Sequence, residues 1–276
     1  MTQPADSALA TDWLTLCRRA AAGARGALER HPLPADRSAT AGRGMGGDMA
    51  LVIDREAEDA VFAELEALET PLTVISEERG EVRISGGGPV HVVVDPVDGS
   101  RNARRGLPGY SLSIAIASGP SMGKVHAGYV HDLASGEEWW AQRGEGARCD
   151  DQAVHVSSTG ELELLGLETA KPTLVARNAE ALAAAGAARL RCVGSIALSL
   201  CYVASGRLDA LVSLGATRSV DCAAGQLIVR EAGGSVALPE AGGSLAEAGL
   251  GLDMRSRILA AGGPDVLERL IDVGAA

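Results

Sequence analysis

Aromatic residues are scarce in this sequence of 276 residues. They make up 3% of the chain, and Phe62 is its single phenylalanine. A core built mainly from aromatic rings is therefore excluded, and Ala, Val, Leu and Ile must fill the interior. Hydrophobic residues still account for 46% of the chain. This fraction and this length predict a folded chain with one large domain or two modest ones.

Basic residues are also in deficit. The sequence has 25 Lys and Arg against 36 Asp and Glu, which gives a formal net charge of −11. This balance argues against a nucleic-acid backbone as the main partner. It also poses a problem for any phosphorylated ligand, because an acidic protein repels phosphate. Divalent cations held by carboxylates would remove that repulsion.

Long apolar runs are missing as well. No stretch approaches the roughly 18 consecutive apolar residues of a transmembrane helix, so no membrane partner is expected. The segment Met1 to Leu16 carries two aspartates and no basic start before an apolar run, so we expect no secretory signal. C-x-x-C spacing is absent, and scattered cysteines favour reduced thiols in a cytoplasmic protein. The five cysteines are Cys17, Cys149, Cys192, Cys201 and Cys222.

Hydrophobic periodicity predicts an α/β chain in two parts, an N-terminal part over 1–165 and a smaller C-terminal part over 166–276. In the first part we predict helices at 8–30 and 55–68, a loop at 31–47, and strands at 72–75, 90–94, 112–117, 124–131 and 137–142. In the second we predict strands at 174–176, 189–193 and 210–214, and helices at 180–185, 195–205, 222–232 and 264–273.

Residues 95–100, with the sequence D-P-V-D-G-S, form the central motif. The buried strand before it delivers Asp95 to the sheet edge, and the following proline fixes a turn that aims Asp98 at the same point. Two carboxylates with the Val97 carbonyl between them form a hard-oxygen site of the kind Mg²⁺ prefers. The last two residues then present backbone N–H groups suited to a phosphoryl oxygen. Alone, the motif is equally compatible with a turn bearing solvated acids.

Further acids follow apolar runs elsewhere in the chain. Glu77 and Glu78 come after the strand at 72–75, Asp54 ends the apolar run at 50–53, and Asp221 opens an Ala/Gly-rich helix. Carboxylates placed against buried segments are costly unless metal or hydrogen-bond donors compensate them. The pattern therefore predicts that these acids meet at one site.

Together these motifs resemble the inositol monophosphatase family, and within it most closely the archaeal-type inositol/fructose-1,6-bisphosphate phosphatases. The resemblance covers roughly residues 44 to 262. It rests on four ordered segments: Ile53-Asp54-Arg55-Glu56-Ala57-Glu58, Ser76-Glu77-Glu78, Asp95-Pro96-Val97-Asp98-Gly99-Ser100 and Val220-Asp221-Cys222-Ala223-Ala224-Gly225.

The resemblance implies site residues. Two or three Mg²⁺ ions would be held by Glu77, Asp95, the Val97 carbonyl, Asp98 and Asp221, with Asp95 bridging two of them. The catalytic residues would be Asp54 with Ser100, which activate water, together with Glu77 at the neighbouring ion. Substrate would be bound by Gly99, Ser100, Gly194, Ser195, Ile196 and Arg218.

The implied fold is a layered α/β sandwich of the sugar-phosphatase type, αβαβα. The implied function is a Mg²⁺-dependent phosphomonoesterase that hydrolyses a small phosphorylated metabolite with metal-activated water. Inositol monophosphate and fructose-1,6-bisphosphate are the first substrates to consider; histidinol phosphate, adenosine 3′,5′-bisphosphate and NADP stay as alternatives, and so does a non-catalytic scaffold. A glutamate that binds inositol hydroxyls in animal members is absent from 211–215, which argues against inositol phosphate. Dimerisation is common in the family, so a homodimer is compatible with the resemblance.

Three arginines, Arg101, Arg104 and Arg105, follow the motif that would cradle the phosphate. We hypothesise that one or more of them, with Arg218, contacts a second anionic group of the substrate. The alternative is that they only balance a surface crowded with acids.

Overall fold

The computed structural model describes residues 8–45, 49–242 and 244–275. Over these residues, the helices are α1 (Trp13–Glu29), α2 (Val52–Glu66), α3 (Ser100–Arg105), α4 (Pro172–Arg177), α5 (Ala179–Ala185), α6 (Ile196–Ala204), α7 (Ser219–Glu231) and α8 (Pro264–Glu268), with short 3₁₀ turns at Asp36–Ser38 and Met122–Lys124. The strands are β1 (Thr40–Arg43), β2 (Met49–Leu51), β3 (Leu72–Ser76), β4 (Gly80–Ile84), β5 (His91–Asp98), β6 (Ser111–Ala117), β7 (Val125–Asp132), β8 (Glu138–Gln142), β9 (Ala147–Cys149), β10 (Gln152–Val154), β11 (Leu164–Glu168), β12 (Arg189–Arg191), β13 (Ala210–Ser213), β14 (Ser235–Ala237) and β15 (Leu259–Ala261).

Two sheets organise the described part of the chain. The larger has the strand order β10-β9-β8-β7-β6-β5-β3-β4, and only β3 and β5 pair in parallel. The smaller has the order β12-β11-β13-β15-β14, with β11 parallel to both of its neighbours. A separate pair, β1 and β2, is antiparallel. The strands of the larger sheet end at Val154 and those of the smaller begin at Leu164; the division of the chain at residue 165 stays a prediction.

Apolar faces stack these elements into five layers. Helices α1 and α2 cover one face of the larger sheet, where Leu16 and Phe62 join the same buried cluster as Ile114. Helices α6 and α7 lie between the two sheets in a second cluster. A third cluster joins the far face of the smaller sheet to α5 and α8 through Leu182 and Val266. The predicted αβαβα sandwich is thereby confirmed.

Small residues let the layers approach closely, as expected from the shortage of aromatics. A Cβ added at Gly23 in α1 would lie 2.8 Å from the Cβ of Ala60 in α2. A Cβ added at Gly128 in β7 would lie 2.7 Å from the carbonyl oxygen of Ala224 in α7. A larger side chain at Gly23 would push α1 away from α2, and one at Gly128 would push α7 off the larger sheet, because packed interiors have little spare volume.

Strand β5 contains the irregularity that positions the central motif. Asp95 lies opposite Ser113 of β6 and Asp98 lies opposite Ser111, so β5 has one extra residue between the two pairs. In a regular strand, residues three apart point to opposite faces. The β-bulge restores the alternation, and both aspartates point to the face covered by α6 and α7.

The predicted strand at 90–94 needs correction, because the strand continues through the bulge and does not end before Asp95. The strand runs from His91 to Asp98. Pro96 lies within the bulged segment, where a strand tolerates a residue that has no N–H to donate.

Three further predictions need correction. Residues 174–176, predicted as a strand, lie in helix α4, which begins with Pro172 in its first turn, where proline favours a helix start. The predicted loop at 31–47 contains a short 3₁₀ helix and strand β1, which pairs with β2; its last two residues lie outside the described ranges. The last helix ends at Glu268 rather than 273. Strand β11, the second strand of the smaller sheet, was not predicted at all.

Among the residues that the structure describes, no helix is both long and apolar enough to cross a membrane.

Candidate metal centre

Three aspartates converge between the large sheet and helix α7. Carboxylate oxygens of Asp95, Asp98 and Asp221 all lie within 4.8 Å of one another. Asp95 and Asp98 come from the bulged end of β5, and Asp221 comes from the first turn of α7. This spacing suits oxygen atoms that surround a cation, and it would be repulsive without positive charge.

Helix starts hold two of the acids in a common geometry. Asp221 is the third residue of α7, and its Oδ2 accepts a hydrogen bond of 2.8 Å from the backbone N–H of Arg218, which precedes the helix. Asp54 is the third residue of α2, and its Oδ2 accepts one of 3.0 Å from the N–H of Leu51. One carboxylate oxygen caps the helix in each case, so the other oxygen is directed away from it.

Asp98 is held by the start of helix α6. Its Oδ2 accepts a 2.7 Å hydrogen bond from the Ser195 hydroxyl and another of 2.7 Å from the N–H of Ala197. The Ser195 oxygen also accepts from the N–H of Leu198 and so caps α6. The carboxylate therefore lies in the positive field of the helix N-terminus, which stabilises its charge.

Glu77 joins the cluster through Arg218. An Arg218 Nη2 nitrogen lies 2.7 Å from Glu77 Oε1 and 3.0 Å from Asp221 Oδ1. The three side chains are 17%, 15% and 9% exposed in the order Arg218, Glu77, Asp221. The guanidinium thus links the strand end at β3 to helix α7 within a largely buried environment.

Burial and mutual repulsion raise the pKa values of the acids. Burial, followed by the charge of Glu77, raises the pKa of Asp95 well above its usual range. Burial, followed by the charge of Asp221, raises the pKa of Asp98 to about 8. Burial also raises the pKa of Asp54 to about 7 and that of Glu78 to about 8. Raised values of this kind indicate more negative charge than the protein itself neutralises.

Divalent metal fits the donors present. Two buried carboxylate oxygens, Asp54 Oδ1 and Glu78 Oε2, have no hydrogen-bond partner among the described residues. Buried charge without a partner is costly, and a cation, or water held by a cation, would compensate it. All the candidate donors are oxygen atoms, which suit Mg²⁺ better than softer metals.

The predicted substrate-binding segments lie side by side. Gly99 has φ of +90°, and a Cβ there would lie 2.6 Å from the Gly109 carbonyl oxygen and 3.0 Å from that of Gly194. Only glycine fits this close approach with its left-handed backbone. Ser100 begins helix α3, and its hydroxyl has no hydrogen bond to a described residue. Ile196 begins α6 and is buried at 7% exposure.

Two polar residues that we did not predict fix this arrangement. Glu168, at the end of β11, accepts hydrogen bonds from the N–H groups of Val193 and Gly194 and from the Ser199 hydroxyl. On the other side, the Asn102 side-chain amide donates to the carbonyl oxygens of Val193 and Gly109 at 2.9 Å. Because the segment they hold leads into Ser195, they support the hydrogen bond to Asp98.

The signal for Glu168 was present in the sequence, since it is an acid that ends the apolar run Leu164-Leu165-Gly166-Leu167. The same criterion identified Asp54, Glu77 and Asp95. Glu168 was overlooked because strand β11 was overlooked.

Comparison with known proteins identifies the chain as a phosphatase. The model of the inositol monophosphatase family matches residues 14–272. The chain belongs to that family, as the sequence motifs predicted.

Individual proteins are similar to this chain over most of its length. The fructose-1,6-bisphosphatase/inositol-1-monophosphatase of Methanothermobacter thermautotrophicus is 36% identical over 238 residues, which cover 83% of this chain and 84% of the relative. The Nus factor SuhB of Haemophilus influenzae is 35% identical over 193 residues, 68% of this chain and 70% of the relative. The solved structure of the Thermotoga maritima IMPase has a TM-score of 0.76 at 25% identity, covering 95% of this chain and 98% of that one.

Proposed function

We propose that the protein is a Mg²⁺-dependent phosphomonoesterase acting on a small phosphorylated metabolite. The observation that carries the proposal is the convergence of Asp95, Asp98 and Asp221 beside the unpartnered oxygens of Asp54 and Glu78. Glu77, Asp95, the Val97 carbonyl, Asp98 and Asp221 are the proposed ligands. When bound, the ions neutralise the phosphoryl group and make water more acidic.

The protein's own groups then orient the reactants. Asp54, with one oxygen fixed by the Leu51 N–H, presents its other oxygen as the acceptor of a proton from the attacking water. The Ser100 hydroxyl is proposed to orient that water. The backbone N–H groups of Gly99 and Ser100 bind the phosphoryl oxygens, and Gly194, Ser195 and Ile196 contact the hydroxyls of the leaving group.

The proposal is tested by measuring phosphate release from a panel of phosphorylated metabolites. The panel contains inositol monophosphate, fructose-1,6-bisphosphate, histidinol phosphate, adenosine 3′,5′-bisphosphate and NADP, each with Mg²⁺ and with EDTA. We expect release from at least one compound with Mg²⁺ and none with EDTA. No release from any compound would favour a non-catalytic role, and release that persists in EDTA would contradict the metal requirement.

We propose that the substrate carries a second phosphate and that the arginines of α3 bind it. Arg101 and Arg105 are exposed and Arg104 is half-buried on α3, and none of the three pairs with an acid among the described residues. Unpaired guanidinium groups beside a phosphate cradle can bind a second anionic group. This favours fructose-1,6-bisphosphate or adenosine 3′,5′-bisphosphate over a monophosphate.

Substituting Arg104→Ala tests the bisphosphate preference. We expect KM for a bisphosphate to rise roughly 10-fold, because a charge-assisted hydrogen bond is lost. KM for a monophosphate on the same enzyme should stay the same. Arg83→Ala is the control, since Arg83 is exposed and Glu81 is its one acidic partner among the described residues. An unchanged KM for every anionic substrate would reject the contact.

Substituting Glu168→Gln tests the support of Asp98. The amide oxygen can replace Oε1, which accepts from Val193, Gly194 and Ser199. The amide loses the negative charge, however, and its NH₂ group replaces Oε2, which accepts from the Gly194 N–H at 3.2 Å, so the loop before Ser195 should loosen. We expect Mg²⁺ to bind roughly 10-fold more weakly by calorimetry, the size typical of residues behind metal ligands. Glu163→Gln, an exposed glutamate just before β11, is the matched control. A lower melting temperature with unchanged Mg²⁺ affinity would show that Glu168 matters for folding alone.

A further inference from the structure

Arg218 is a cation built into the candidate centre. It precedes helix α7, and its guanidinium lies 2.7 Å from Glu77 and 3.0 Å from Asp221. In the pair of Arg207 with Glu137, by contrast, the side chains are 44% and 32% exposed. The Arg218 side chain is 17% exposed, so water screens its interactions much less.

The two acids that Arg218 contacts are both proposed metal ligands. An ion bound by Glu77 or Asp221 needs the carboxylate oxygen at about 2.1 Å. The guanidinium already occupies a lone pair on each of these two carboxylates. Two positive charges a few Å apart also repel each other strongly in a poorly hydrated site. Divalent ions therefore compete with Arg218 for Glu77 and Asp221.

We propose that Arg218 is an internal counter-ion that neutralises Glu77 and Asp221 without metal and is displaced from at least one of them when Mg²⁺ binds. Arg218 thereby sets the Mg²⁺ concentration at which the centre fills. This inference rests on the proposed function, because it takes the carboxylates as Mg²⁺ ligands. The opposite role, in which Arg218 holds Glu77 in place for the ion, predicts a mutational effect of opposite sign.

Calorimetric titration of Mg²⁺ into chelator-treated protein tests the competition. In Arg218→Met, a side chain of similar length carries no charge, and we expect Kd for Mg²⁺ to fall on the order of 10-fold because no cation has to be displaced. In Arg218→Lys, the charge is retained without the planar fork, and we expect an intermediate Kd. Equal or weaker Mg²⁺ binding by Arg218→Met overturns the inference.

Thermal unfolding gives a second measurement, which can be made even if the metal-free variant is less stable than the parent. We expect Arg218→Met to melt below the parent in EDTA, because buried carboxylates lose their counter-ion, and to gain more than the parent from saturating Mg²⁺. Arg207→Met, which removes a pair outside the centre, should leave the Mg²⁺-dependent gain unchanged. An equal gain in Arg218→Met and the parent would overturn the competition.

Different results would overturn the proposed function and the counter-ion role of Arg218. A parent protein that binds no Mg²⁺ and releases no phosphate overturns the proposed function, and this inference with it. In the second case the parent protein binds Mg²⁺ and releases phosphate, but Arg218→Met has the same Mg²⁺ affinity as the parent. That result overturns only the counter-ion role of Arg218.

Discussion

Asparagine in place of Asp95 should reduce kcat/KM for phosphate release by roughly 1,000-fold or more, because the substitution removes a charge from the middle of the carboxylate cluster. Asp95 is 1% exposed, and it forms the cluster with Asp98 and Asp221. A neutral amide is a much poorer ligand for a hard cation than a carboxylate. The hydrogen bond between Oδ1 and the Val97 N–H, 3.1 Å long, can still form in Asp95→Asn, so the local turn should persist.

The melting temperature of Asp95→Asn shows whether a loss of activity comes from the site or from unfolding. Because burial and neighbouring acids disfavour the charged form of Asp95, the neutral amide should melt at the same temperature as the parent or higher in EDTA. Added Mg²⁺ should then stabilise the variant less than the parent. Asp209→Asn is the control, since the Asp209 side chain lies outside the cluster and, within the described ranges, accepts hydrogen bonds from the backbone N–H groups of Glu163 and Leu164 alone. Full activity in Asp95→Asn would refute the metal centre.

Asparagine in place of Asp54 should lower kcat by roughly 100-fold or more, the usual contribution of a general base. The amide can still accept from the Leu51 N–H, so helix α2 keeps its cap. The opposite atom, however, becomes an NH₂ group, which cannot take a proton from water. KM should change little, because Asp54 is proposed to act on the water and not on the substrate.

The comparison for Asp54 lies on the same helix. Asp59 is 65% exposed and pairs with Arg79, so Asp59→Asn should keep the parental kcat. Mg²⁺ affinity, measured in the same preparations, should be within a few-fold of the parent for both variants. A strong loss of Mg²⁺ binding in Asp54→Asn would reassign Asp54 from proton acceptor to metal ligand.

The sequence predicted that Asp95, Asp98 and Asp221 would lie together, but it did not predict the backbone geometry that brings them together. The β-branched run before Asp95 predicted a buried strand, and the placement of Glu77 and Asp221 against apolar segments predicted their convergence. Those inferences depend only on the cost of burying charge, and an acid that follows an apolar run can be recognised directly in the sequence. The bulge in β5 was not predicted, because register depends on the partner strand.

The weaker predictions share a physical cause. Three-residue apolar segments such as 174–176 fit a strand and a helix equally well, and only the context of Pro172 decides between them. Glu168 and Asn102 act through the loop at 193–195, which is distant from both in the chain. Hydrogen bonds between segments far apart in the chain produce no periodic sequence pattern. Glu168 and Asn102 could therefore be identified only from the structure.

The position of helix α7 between the two sheets has a consequence for how the enzyme matures. Asp95 and Asp98 are synthesised early, whereas Asp221 belongs to a helix buried against both sheets. Contacts between such distant segments form slowly, since a long loop must close first. A nascent chain released before α7 would therefore lack Asp221, one of the proposed ligands, and we expect metal loading to be among the last events of folding.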